Sequence, residues 1–122
     1  RVLMVGHMGK FVKVAGGIFS THSKDSDARM EIIMANLALL GAPVELLEKV
    51  DQCITTDAAG TFIEEYHYEE VYQVLVDKMK FRSERLLRNR KPEVSIDVVT
   101  FGTEAGYLAS TQTLEEIAEE WT

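Results

Sequence analysis

The chain has 122 residues, 46% of them hydrophobic, which suits one compact domain spanning residues 1–122 with a core of its own. A formal net charge of −7 argues against a general nucleic-acid binder, and no apolar run approaches the roughly 20 residues of a membrane span. The single cysteine, Cys53, excludes an intramolecular disulfide framework, so a cytoplasmic location is the expected one.

Val2-Leu3-Met4-Val5 reads as a strand that stops at Gly6. Gly6 and Gly9 then bracket His7, Lys10 follows at once, and apolar residues resume at Phe11, Val12, Val14 and Ala15. The pattern is strand, tight glycine turn and a short helix over 10–18, weakened by Gly16 and Gly17. Such a turn puts backbone N–H groups, the positive end of a helix and a lysine in one place, which suits an anion. The charge distribution agrees: residues 1–24 sum to +4 and the remainder to −11.

A polar loop, Ser20 to Ser26, leads to a helix over 27–40, with Asp25, Ser26 and Asp27 as capping residues and Met30, Ile33, Met34, Leu37 and Leu40 at helical spacing. Gly41 stops it, and Pro43 opens a further helix with Val44, Leu47 and Val50 on one face. Thr55-Thr56-Asp57 caps a short helix carrying Phe62 and Ile63. A long helix over 69–90 has Val71, Val74, Leu75 and Met79 as its apolar stripe and a basic end that Pro92 terminates. Alternation over 94–101 predicts a strand, and Gly102–Gly106 turns the chain into a second strand at 107–110. Thr113 and Glu116 form a capping box for a last amphipathic helix with Leu114, Ile117, Ala118 and Trp121. The expected fold is α/β: a small mixed sheet flanked by several helices, with 2–5 parallel to 94–101 across long helical crossovers.

Two residues between the glycines, and Phe11 after Lys10, do not make a phosphate-binding loop of the nucleoside-triphosphatase kind, nor a dinucleotide fingerprint. No metal site is expected, because His7, His22 and Asp25 match no common ligand spacing. Cys53 reads as a small buried hydrophobe. His7 and His22 lie at the two ends of the first helix, and histidine titrates near neutrality. Gly6, His7, Gly9, Lys10, Thr21, His22 and Ser23 are expected to converge on one cleft, the chain folding back through Gly16-Gly17.

The run Val5-Gly6-His7-Met8-Gly9-Lys10, the glycine-containing segment through Gly16-Gly17, Thr21-His22-Ser23 and Asp27-Ala28-Arg29 resemble, in that order, the signature of the C-terminal region of the CbiD family, the cobalt-precorrin-5B (C1)-methyltransferases of anaerobic cobalamin biosynthesis. Thr55-Thr56 and the hairpin with Tyr107-Leu108-Ala109 fit as well. The departures are Phe19-Ser20, where Met-Asn is usual, and Lys24-Asp25, where Arg-Val is usual. The resemblance implies methyl transfer from S-adenosylmethionine to carbon C-1 of a corrin ring, with cobalt only as part of the corrinoid substrate.

It implies His7 and His22 as the residues that orient the substrate or manage a proton. Gly6, Gly9, Lys10, Lys13, Thr21 and Ser23 would then bind the substrate or the methyl donor; which of the two the glycine turn faces stays open. Arg29 would pair with a substrate carboxylate, or with Asp25 or Glu31 as a structural ion pair. An N-terminal region of the same protein is expected to be missing from this chain. The fragment alone is then expected to fold, to expose a sheet edge or apolar surface that invites a homodimer, and to be inactive. The readings from other classes are a non-catalytic anion- or nucleotide-binding module and a structural or oligomerisation domain.

Overall fold

A computed structural model describes residues 1–19, 28–87 and 93–121. Its centre is a mixed three-stranded sheet in the order β1-β2-β3, formed by β1 (Val2–His7), β2 (Ile96–Gly102) and β3 (Gly106–Ser110). β1 runs parallel to β2, with Val2 opposite Ile96 and His7 opposite Phe101, as the long crossover required. β2 and β3 form the antiparallel hairpin, with a register shift between Thr100 and Phe101. The helices are α1 (Met8–Ala15), α2 (Arg29–Leu39), α3 (Val44–Asp51), α4 (Thr56–Glu65), α5 (Glu70–Leu87) and α6 (Leu114–Trp121). No helix among the described residues is long and apolar enough to cross a membrane.

α5 is the spine. It packs on β2 and β3 on one side and on α1 and α2 on another. That two-sided burial explains why Tyr72 and Val76 join Val71, Leu75 and Met79 in the core, while Val74 is only half-buried. On α3 the core face is Leu46 and Val50, not the expected row Val44, Leu47 and Val50. With Pro43 as N-cap, Val44 is the first helical residue and stands in solvent, and Leu47 packs from the side. α6 is amphipathic as expected, but none of its residues is buried.

The end of β2 is fastened to α5 by charge. The Lys80 ammonium donates to the Ile96 carbonyl (2.7 Å) and to Glu84 (2.9 Å) and lies 3.5 Å from the Asp97 carboxylate. Glu84 also accepts from the Ile96 N–H (2.8 Å), and Asp97 from the Thr111 hydroxyl (2.8 Å). Burial pushes the Glu84 carboxyl up, but the Ile96 N–H and the Lys80 ammonium outweigh it and hold the group below its ordinary value.

Three helices end in the same way, with a left-handed residue just past the cap and two backbone bonds that satisfy the last carbonyls. In α2 that residue is Gly41, at φ 85°. Its N–H meets the Ala38 carbonyl, and the next N–H, of Ala42, meets that of Leu37. α1 uses Gly17 alike. α4 uses His67, at φ 62°, with Tyr68 N–H on the Ile63 carbonyl. A side chain in this conformation is strained. His67→Gly is therefore expected to raise stability by about 1 kcal/mol, read as a higher urea midpoint at unchanged slope.

Candidate active site

β1 and β2 both end, at their carboxyl termini, beside the start of α4. In parallel α/β sheets this is where ligands are held. β1 passes directly into α1 with no intervening turn. His7 itself is the N-cap, extended at φ −69° and ψ 136°, and its Nδ1 accepts from the Gly9 N–H at 2.9 Å. The expected glycine turn is thus replaced by a histidine cap. Gly6 belongs to the strand, with the Phe11 ring over the space its side chain would fill, and Gly9 and Lys10 lie in the first helical turn.

Because Nδ1 accepts, the neutral ring carries its proton on Nε2. That atom lies 3.0 Å from the Thr103 hydroxyl and 3.4 Å from Asp57 Oδ2. Thr103 in turn donates to Asp57 twice, from its N–H to Oδ1 and from its hydroxyl to Oδ2, both at 3.0 Å. Asp57 sits in the first turn of α4, whose cap, Thr55, accepts from the Ala58 N–H at 3.1 Å. Gly102 makes room for the carboxylate, since a Cβ there would lie 3.1 Å from Oδ1. The Thr103 N–H first, then its hydroxyl and His7, hold the Asp57 carboxyl below its ordinary value. The ring of His7 is also fixed edge-on against Phe101, 5.8 Å between centroids.

Asp57 is shared with a cleft of about 510 Å³. α4 forms one wall, with Gly60 and Glu64; Glu69 and Tyr72 form another; Glu104 in the β2–β3 turn closes it, and Met8 and Leu108 are its apolar lining. Burial, and then the negative charges of Asp57, Glu69 and Glu64, push the Tyr72 phenol up to about 12, so its hydroxyl stays protonated. The sign of the cleft is opposite to that of residues 1–24.

The described members of the sequence-predicted set stand as follows. Gly6, His7 and Gly9 stand together at the β1–α1 junction. Lys10 is exposed on α1 and Lys13 is buried near its end, and neither lines the cleft. Arg29 begins α2 and donates to the Ile54 carbonyl at 3.0 Å, tying α2 to the loop before α4. Thr21, His22 and Ser23 lie outside the described residues, as do Asp25, Ser26 and Asp27; the N-cap of α2 is Ala28, which makes no side-chain cap bond, in place of the capping expected of those three. Among the described residues no group of three or more His, Cys, Asp or Glu side chains is placed to hold a metal ion. Asp57, Thr103 and Tyr72 escaped the sequence reading. For Thr103 the available signal was its place just beyond the carboxyl end of β2; Asp57 and Tyr72 lie on helices and carried none.

The family model described as CbiD, C-terminal domain, matches residues 20–112. The chain belongs to the CbiD family. Among its CbiD relatives, the cobalt-precorrin-5B C(1)-methyltransferase of Listeria monocytogenes serotype 4a (strain HCC23) is 60% identical over 121 residues, 99% of this chain and 32% of that protein. The protein of the same name from Clostridioides difficile (strain 630) is 41% identical over 119 residues, 98% of this chain and 29% of its own length. That of Citrobacter koseri is 44% identical over 120 residues, 98% and 32%. The chain therefore spans about a third of the length of the curated CbiD relatives it matches. No solved structure matches it.

Proposed function

We propose that this chain forms the C-terminal part of an S-adenosylmethionine-dependent methyltransferase that methylates C-1 of cobalt-precorrin-5B in anaerobic cobalamin biosynthesis. The observation that carries this reading is the 60% identity, over nearly the whole chain, to proteins of that name. S-adenosylmethionine supplies the methyl group as an activated sulfonium, and cobalt enters only within the substrate. Direct displacement at a methyl carbon asks the protein chiefly for alignment.

The geometry supports His7 as the residue that handles a proton at the reacting ring. Taking one up at Nδ1 exchanges the Gly9 bond for a full ion pair with Asp57, already 3.4 Å away. His22, with Thr21 and Ser23, is proposed to reach the same substrate on the strength of the family signature. Lys10, exposed in the first turn of α1, and Gly6, Gly9, Lys13 and Arg29 are proposed to serve substrate or donor binding. β1 is an edge of the sheet among the described residues, and Val2 and Val5 on it are exposed. That edge supports docking of the further two thirds that the relatives possess, and the alternative occupant is a second copy in a homodimer. An enzyme of this kind works in the cytoplasm.

The full-length protein, given methyl-labelled S-adenosylmethionine and cobalt-precorrin-5B, is expected to label the ring at C-1. The present chain alone is expected to be folded by circular dichroism and inactive. A full-length protein that transfers no label would overturn the reading, and turnover by the chain alone would place the whole site within these residues.

A further inference from the structure

Tyr72 is only 8% exposed, yet among the described residues its hydroxyl has no hydrogen-bond partner. The ring is buried while the hydroxyl is reached from the cleft, where a polar group of a ligand can meet it. The hydroxyl lies at the α4 wall, 3.0 Å from where a Cβ on Gly60 would stand, so it is glycine at 60 that leaves it open to the cleft. Around it are the carboxylates of Asp57, Glu64, Glu69 and Glu104. They are too dispersed to chelate a metal ion, as no metal-holding group occurs among the described residues. Carboxylates spread along one side of a cleft, a buried phenol and an apolar patch of Met8 and Leu108 suit an extended organic cation with a flat apolar part. A corrinoid, with its many acetate and propionate carboxylates, meets like charge here.

We infer that this cleft holds the cationic methyl donor, its positive charge facing Asp57, Glu64 and Glu69 and a polar oxygen of its sugar meeting the Tyr72 hydroxyl. The corrinoid then approaches from the His7 side, where Asp57 joins the two halves of the site. This assignment rests on the methyltransferase reading.

Isothermal titration of the full-length protein with S-adenosylmethionine and with S-adenosylhomocysteine, which lacks the sulfonium charge, tests it by affinity alone. Glu64 and Glu69 are exposed, so Glu64→Gln/Glu69→Gln leaves the fold intact. The double variant is expected to weaken S-adenosylmethionine by about tenfold and S-adenosylhomocysteine by less. Tyr72→Phe, which removes only the hydroxyl, is expected to weaken both ligands by about fivefold. Wild-type affinity for S-adenosylmethionine in all these variants would overturn the cleft assignment and leave the methyltransferase reading standing. A wild-type protein that binds neither ligand would overturn both.

Discussion

Asparagine at position 7 is expected to lower methyl transfer by the full-length protein about a hundredfold while leaving the domain as stable as the wild type. His7 has two separable duties. As N-cap of α1 it accepts from the Gly9 N–H, and an asparagine side-chain oxygen fills that position as well as any residue. In its proposed role it takes up a proton beside Thr103 and Asp57, and asparagine cannot. His7→Ala removes both, so it should match the asparagine variant in activity and lose about 1 kcal/mol of stability besides. The measurements are single-turnover methyl transfer and urea unfolding on the same preparations. If His7→Asn turns over like the wild type, the histidine is a cap and nothing more.

The second large effect lies away from the site. Lys80→Met is expected to cost about 2 kcal/mol at neutral pH. Methionine keeps most of the apolar stem but leaves the Glu84 and Asp97 carboxylates facing each other without the ammonium between them. The Lys80 side chain is 32% exposed, so water screens part of the loss and the value sits below that of a fully buried pair. The pH dependence identifies the cause. In the wild type the folded Glu84 is held below its ordinary 4.5, so its contribution is present above that pH and is lost as pH falls through the lower folded value. In the variant the carboxylates relieve their repulsion by protonating. The gap between the two proteins should therefore be widest near neutrality and narrow in acid. A gap independent of pH would mean that packing of the stem, not charge, was lost.

Much of the fold was legible because its signals are local. Alternation over 94–101, the glycine at 41 and the threonines at 55 and 113 each act within a few residues of themselves; the glycine and the threonines stand as read, and the strand stands at Ile96–Gly102, beginning two residues later than expected. The parallel pairing of β1 with β2 was legible from the length of the crossover alone. The α3 face was not, because Val44-Leu46-Leu47-Val50 satisfies two helical rows and only tertiary packing chooses between them. The site was half legible. His7 could be singled out from its glycine neighbours, but its partners come from α4 and the β2–β3 turn, 50 and 96 residues further along the chain, and no local pattern joins them. The basic character of residues 1–24 pointed to an anion, whereas the cleft that three-dimensional packing assembles beside His7 is walled by carboxylates from elsewhere in the chain.

The pairing of β1 with β2 also sets a timetable. Val2 finds its partner only at Ile96, so the strand that carries His7 cannot be laid down until 94 further residues exist. At a ribosomal pace of roughly 5–20 residues per second, that is a wait of about 5–20 s. Throughout it, an apolar segment with neither of its edges paired to β2 is open to wrong neighbours. Contacts of such span slow folding, since the loop must close before the pairing rewards it. In a longer polypeptide a preceding segment, already folded, is well placed to shelter β1 in the meantime. The joint between β1 and α1 is then among the last parts of the domain to form, and His7 arrives with it.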